Sequence, residues 1–169
     1  MCNDTIQPKE PAMQTHTMMQ DLQAQPLLSG LGPERLGRLL PYASEVQISA
    51  GDVLFQQGQV ADAFYILRTG SVQIGVPAIN GPGVEVQTLG AHDVLGWSWL
   101  IPPYQWTFEA KSLTPSTLLR FDGKAILQEC ERDPALGYAL MKIFAALMSV
   151  RLQAARLRMM ECWAPPGWA

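Results

Sequence analysis

Gly51-Asp52-Val53-Leu54-Phe55-Gln56-Gln57-Gly58, followed shortly by Ala61-Asp62-Ala63-Phe64-Tyr65-Ile66-Leu67, decides the fold. A short apolar run stands between two glycines, and a longer run follows. Val53/Phe55 and Phe64/Ile66 keep a period of two, the spacing of one face of a β-strand. Glycines at 51 and 58 suit tight turns that need positive φ. The same texture extends outward to Val46/Ile48 on one side and to Val72/Ile74/Val76 and Val84/Val86 on the other. Thr69-Gly70 and the loop 77–83 supply the punctuation. Some seven or eight short strands between Ala43 and Asp122 predict a mainly β, antiparallel roll, barrel or sandwich rather than a βαβ sheet.

Helical patterns flank this block. Asp21 to Leu28 carries a weak helical signal around Leu22. Gly32-Pro33 opens a second short helix with Leu36, Leu39 and Leu40 on one side, and Pro41 stops it. Residues 1–20 are polar and aperiodic and predict a mobile tail. A short helix after Asp122 is expected to bury Cys130 as an apolar residue. At Asp133-Pro134 a good N-cap and a preorganised first turn begin a helix that nothing breaks before Cys162, about 40 Å long. The expected division is a tail (1–20), a β-roll with short N-terminal helices (21–133), a long C-terminal helix (134–162) and a C-terminal tail (163–169).

In the long helix Leu136, Leu140, Ile143, Leu147, Val150, Ala154 and Leu157 follow alternating spacings of four and three. That is an a/d seam, with Phe144 and Met148 widening it and Arg151, Arg156 and Arg158 off it. The seam can pack on the chain's own roll. Its narrowness and length favour self-association, so a homodimer is expected through these seven residues.

Composition narrows the function classes. Twelve Lys+Arg against fifteen Asp+Glu give a formal net charge of -3 in 169 residues. No basic excess supports nucleic-acid binding, and no DNA partner is expected. Three cysteines (Cys2, Cys130, Cys162) at wide spacings argue against a disulfide framework and a zinc site and fit a reducing cytoplasm. No basic, apolar leader opens the chain and no apolar stretch reads as a bilayer span, so no membrane partner is expected. Gly96-Trp97-Ser98-Trp99 lacks the second glycine of a nucleophile elbow, and His92 is the nearby histidine, which makes a hydrolase a poor reading.

Two short helices, a glycine-punctuated roll and a long helix resemble the cyclic nucleotide-binding domain, the effector domain of catabolite-activator-type regulators. The stretches already quoted carry the resemblance, with Gly70-Ser71-Val72 and Leu89-Gly90-Ala91-His92-Asp93-Val94-Leu95-Gly96. The second of these leads into the family's phosphate-binding cassette. There the family has a Gly-Glu pair opening a short helix, the Glu holding the ribose hydroxyl, and an Arg further on neutralising the cyclic phosphate. In this chain the Glu position is Trp97 and the Arg position falls on Tyr104. Losing charge-assisted contacts of that kind costs a few kcal/mol, roughly two or more decades of affinity. Cyclic AMP is therefore not the expected ligand.

The degenerate cassette leaves Gly90, Gly96, Trp97, Ser98, Trp99, Tyr104, Trp106 and Thr107 as candidate ligand-binding residues. Three readings stay open: the aromatics fill the vacated site as core, they stack a planar ligand, or they dock a protein. Family transcription factors continue into a helix-turn-helix, whereas here the sequence runs to Ala169 soon after the long helix. Trp163 and Trp168, around Pro165-Pro166-Gly167, either fold back on the roll or dock a partner.

The segment Gly96-Trp97-Ser98-Trp99-Leu100, with Pro102-Pro103-Tyr104 and the helix ending 151–158, also looks like a subset of the family associated with hydrogenases. That resemblance implies a non-catalytic accessory subunit of a soluble NAD-reducing nickel-iron hydrogenase, docking on the diaphorase module. No cofactor is then expected on this chain itself, and a nicotinamide nucleotide such as NADPH enters as an effector. The competing reading is a stand-alone small-molecule sensor without a DNA-binding output.

Overall fold

The computed structural model describes the backbone of residues 11–77 and 83–162 and the side chains of 16–77, 83–157 and 160. Eight strands and four α-helices lie in these residues: α1 (Pro11–Ala24), α2 (Gly32–Leu39), β1 (Ala43–Ile48), β2 (Val53–Phe55), β3 (Ala63–Thr69), β4 (Val72–Val76), β5 (Val84–Leu89), β6 (Val94–Leu95), β7 (Glu109–Ser112), β8 (Ser116–Asp122), α3 (Gly123–Arg132) and α4 (Pro134–Cys162). The strands form two four-stranded sheets, ordered β1-β8-β3-β6 and β2-β7-β4-β5. Every pairing within them is antiparallel. Every period-two pair named from the sequence lies in one of these strands, and the expected antiparallel β-roll with flanking helices and a long C-terminal helix is the observed fold.

Two cores meet at β3. Phe64 and Ile66, with Leu119 and Phe121 of β8, face a layer of helices carrying Leu22, Leu36, Leu39 and Ile126. Ala63, Tyr65 and Leu67 face the other sheet and pack with Phe55, Val72, Leu89 and Ala110. The uninterrupted apolar run from Ala63 to Leu67 is thus a strand buried on both faces, for which strict alternation is not expected.

The N-terminal reading needs correction. Helix α1 begins at Pro11, not near Asp21, and Met18 and Met19 pack against the helical core. The prolines and polar residues hid a weak amphipathic pattern that tertiary packing completes. Its end is tied down: buried Gln25 accepts from Leu28 N–H at 2.6 Å and donates to the His92 carbonyl at 3.1 Å. Arg68 pairs with Asp21 at 2.8 Å on the same side.

Helix α4 also differs from its expected role. Leu136, Leu140 and Leu147 are buried in the chain's own helical core with Phe144, and Ile143 packs beside them. Ala154 is half-buried, whereas Val150 and Leu157 are 59% and 63% exposed. The seven-residue seam therefore does not present one continuous dimer face, because its first half is consumed by the roll. A second stripe does face outward. Tyr138, Met141 and Ala145 are exposed on it, and the same alternating spacing continues through Met148, Leu152 and Ala155, which border the roll. With both faces apolar, Pro134–Leu157 is by length and composition able to cross a membrane, contrary to the reading that no stretch is. Here one face of that helix is a core face of the roll.

Asp122 caps α3, accepting from Ala125 N–H at 2.9 Å. Arg38 of α2 forks onto Glu129 and Asp133, joining α2 to the α3–α4 corner. The guanidinium holds the Glu129 carboxyl below its ordinary range, and N–H donation from Leu136, then Arg38, does the same for Asp133.

Candidate functional site

A cavity of about 300 Å³ opens where β4, β5 and β6 meet the segment 96–98, the segment 106–108 and the middle of α4. That volume lies at the small end for small-molecule sites. Phe55, Ile74, Val86, Leu89 and Leu95 make an apolar floor, and Met148, Leu152 and Ala155 of α4 form a roof.

The glycine at 96 shapes one wall. It sits at φ 84°, and a Cβ there would come within 2.7 Å of the Trp106 ring. Only glycine allows both the left-handed turn and that approach. Trp106 in turn stacks on Phe55 with ring centroids 3.8 Å apart and planes 11° from parallel. Its backbone is pinned: Trp106 N–H donates to Gln59 O at 2.9 Å and its carbonyl accepts from Gly58 N–H at 2.8 Å.

The candidate residues separate into groups. Gly96, Trp97, Ser98, Trp106 and Thr107 line the cavity. Trp99 does not: it is 1% exposed in the helical core, stacked on Phe64 at 5.3 Å and edge-on to Phe144 at 5.2 Å. Tyr104 points away as well, 41% exposed at φ 55°, with its carbonyl accepting from Ala61 N–H. Gly90 belongs to the turn before β6, where its N–H donates to Asp93 at 2.9 Å. Trp163 and Trp168 lie outside the described residues. In place of a cassette helix, residues 97–100 make a single turn closed by Leu100 N–H donating to Trp97 O.

Among the described residues no carboxylate lines the cavity, and the one charged lining residue is Arg151 of α4. The guanidinium donates to the Val94 carbonyl at 3.0 Å. Burial pulls its pKa below the usual arginine value, with Asp93 opposing weakly. Other basic side chains of the roll stand away from the cavity: Lys111 and Lys124 are exposed, and Arg120 pairs with Asp62 at 3.0 Å. Sequence reasoning set Arg151 aside as lying off the seam. The signal was present, since Phe144, Met148, Arg151 and Ala155 recur at helical spacing on one side.

Comparisons agree with this architecture. The chain is 24% identical over 119 residues to the CRP-like cAMP-activated global transcriptional regulator of Mycobacterium tuberculosis, a match covering 70% of this chain and 53% of that protein. It thus spans about half the length of that curated relative. Among solved structures it is similar to a cyclic nucleotide-binding protein from Geobacter metallireducens, with a TM-score of 0.71, 26% identity, and coverage of 79% of this chain and 96% of that one. It is also similar to the sensor domain of the transcriptional regulator DNR from Pseudomonas aeruginosa, with a TM-score of 0.68, 26% identity, and coverage of 82% and 93%. The family pattern for a cyclic nucleotide-binding domain matches residues 45–133, the span from β1 through α3 that builds both sheets and most of the cavity wall. With that match over more than half its length, the chain belongs to the cyclic nucleotide-binding domain family.

Proposed function

We propose that this chain is a non-catalytic sensing domain whose pocket takes a small molecule other than a cyclic nucleotide and reports it through α4. One observation carries the reading: among the described residues the cavity wall holds Trp97 and no carboxylate where a ribose hydroxyl would need an acceptor. The retained turn glycines and the intact roll keep the architecture of a ligand-binding domain, while the polar contacts for a nucleotide are replaced by apolar surface. Isothermal titration tests this directly. Cyclic AMP is expected to give no binding at micromolar concentration, and a micromolar dissociation constant, about 8 kcal/mol of binding free energy, would overturn the reading.

The outer stripe of α4 supports association with a second copy. A helix apolar all round is normally covered all round, and Tyr138 and Met141 stand bare in the single chain. Free Cys130 suits a reducing, cytoplasmic setting.

A finer reading makes the domain an accessory subunit of a soluble NAD-reducing nickel-iron hydrogenase, responding to NADPH. Its support is the likeness of the segment 96–104 to such subunits, together with the bare apolar face of α4 as a docking surface. Purification of the native protein under gentle conditions tests it: large subunits with iron-sulfur absorbance should co-elute, and their consistent absence would reject this reading while leaving the sensing domain intact.

A further inference from the structure

Arg151 is placed unlike an ordinary surface arginine. It rises from the middle of α4 into a mainly apolar and aromatic wall whose other polar side chains, Gln87, Ser98 and Thr107, are neutral. Among the described residues no carboxylate lies within ion-pair distance of it, and its one hydrogen bond goes to a neutral carbonyl, Val94 O. A guanidinium carries five N–H donors in a rigid fork. Asp93 acts on it only through space, without a direct ion pair; a partly buried cation lacking such a pair is costly, and roll-facing positions of such a helix are normally apolar. The neighbouring inward positions follow that rule: Phe144 and Leu147 are buried, and Met148 and Ala155 line the cavity.

We infer that the cavity binds a ligand with an apolar, ring-sized body and a single anionic head, and that Arg151 of the long helix supplies the cation which the cassette segment lacks. The inference rests on the proposed pocket and adds the chemical class of its occupant. The body lies between Trp97, Trp106 and the aliphatic floor, and the head forms a charge-assisted fork with the free edge of Arg151. The head can be a carboxylate or a phosphate monoester, since both accept that fork. A dinucleotide such as NADPH fits less well, because its several phosphates would meet one cation in a cavity of about 300 Å³.

The probes are naphthoate, naphthamide and naphthyl phosphate, which share one aromatic body and differ in the head. Binding is read by titration calorimetry and by quenching of tryptophan fluorescence, on wild type, Arg151→Gln, Arg151→Lys and the cavity-filling Ala155→Trp, each checked for an unchanged β-sheet circular dichroism spectrum. Naphthoate should bind wild type about tenfold or more tightly than naphthamide, the worth of one charged hydrogen-bonded pair. Arg151→Gln should erase that difference, Arg151→Lys should keep part of it, and Ala155→Trp should weaken both probes. The ratio of naphthyl phosphate to naphthoate then separates the two head groups. Equal binding of naphthoate and naphthamide by wild type, with both lost in Ala155→Trp, would keep the pocket and overturn the role of Arg151. Binding that survives Ala155→Trp, or no binding of any probe, would overturn the inference together with the pocket reading. Cyclic AMP binding at micromolar levels alongside an Arg151-dependent preference for naphthoate would reject only the proposed loss of nucleotide recognition.

Discussion

Trp97 and Trp99 stand two residues apart in one turn, yet the structure gives them different work, and replacing each with alanine separates the two. Trp99 is 1% exposed, stacked on Phe64 and edge-on to Phe144, and its ring lies against Gly123 where a Cβ would approach to 2.9 Å. Trp99→Ala removes a ring from the junction of β3, β8 and α4 and leaves a hole that backbone on several sides cannot close. Truncations of this kind cost about 3–5 kcal/mol. Against a total stability of about 5–15 kcal/mol the loss is large. For a chain of this size it corresponds to a fall in melting temperature of about 6–20 °C. Trp97 is half-buried on the cavity wall, so Trp97→Ala should lower the melting temperature by only about 2–4 °C. The indole Nε1 of Trp99 has no hydrogen-bond partner, so Trp99→Phe deletes an unmet donor and should cost much less than Trp99→Ala. Thermal unfolding followed by circular dichroism measures all three. A Trp99→Ala variant melting within a few degrees of wild type, or a Trp97→Ala variant falling as far, would refute the division of labour.

Gly96→Ala should destabilise the roll and impair probe binding together, since its Cβ would strike the Trp106 ring from a strained left-handed turn; a variant with wild-type melting would show that the wall yields freely. Met141→Glu should turn a homodimer into monomer without lowering the melting temperature of the isolated roll; light scattering that finds wild type monomeric at high micromolar concentration would remove the premise. The Glu129 and Asp133 carboxyls are held below their ordinary range by Arg38 and by Leu136 N–H, so their stabilising contribution is complete above the unfolded carboxylate range near about pH 4 and is lost as pH falls through the lower folded values. The melting gap between wild type and Arg38→Leu should accordingly narrow on acidification below that range, and a gap that stays constant to strong acid would deny the linkage.

The strands were legible because turn glycines and period-two runs are local signals, and residues 43–122 hold both in dense order. The start of α1 was not, because it is held by Leu22 and the two methionines packing into the helical core rather than by an intrinsic helix preference of its sequence. The long helix showed its length at once, but a heptad count cannot say which of two apolar stripes meets the roll. Leu136, Leu140 and Leu147 were assigned outward and point inward, while Tyr138 and Met141 bear the outer face. For the pocket, the near-cassette residues were identifiable from their position in the family's pattern, and five of them line the cavity. Trp99 shares their sequence neighbourhood, but it is fully enclosed in the helical core, whereas Trp97 packs at that core's edge and also lines the cavity. Arg151 comes from a helix more than forty residues away, so its place in the wall follows only from the docking of α4 on β5 and β6.

The position of β3 has a consequence for how the molecule can come apart. One strand serves as the common partition of two interiors, with Phe64 and Ile66 on one side and Ala63, Tyr65 and Leu67 on the other. A slip of one residue would carry Phe64 and Ile66 out of one interior and Ala63, Tyr65 and Leu67 out of the other at once, so alignment of this strand is policed twice. The helical layer and the inner sheet therefore cannot melt one after the other: stripping the helices would bare Phe64 and Phe121, and losing the inner sheet would bare Tyr65 and Leu118. The roll is a single cooperative unit of unfolding, in which a ligand that tightens one interior protects amide hydrogens in the other.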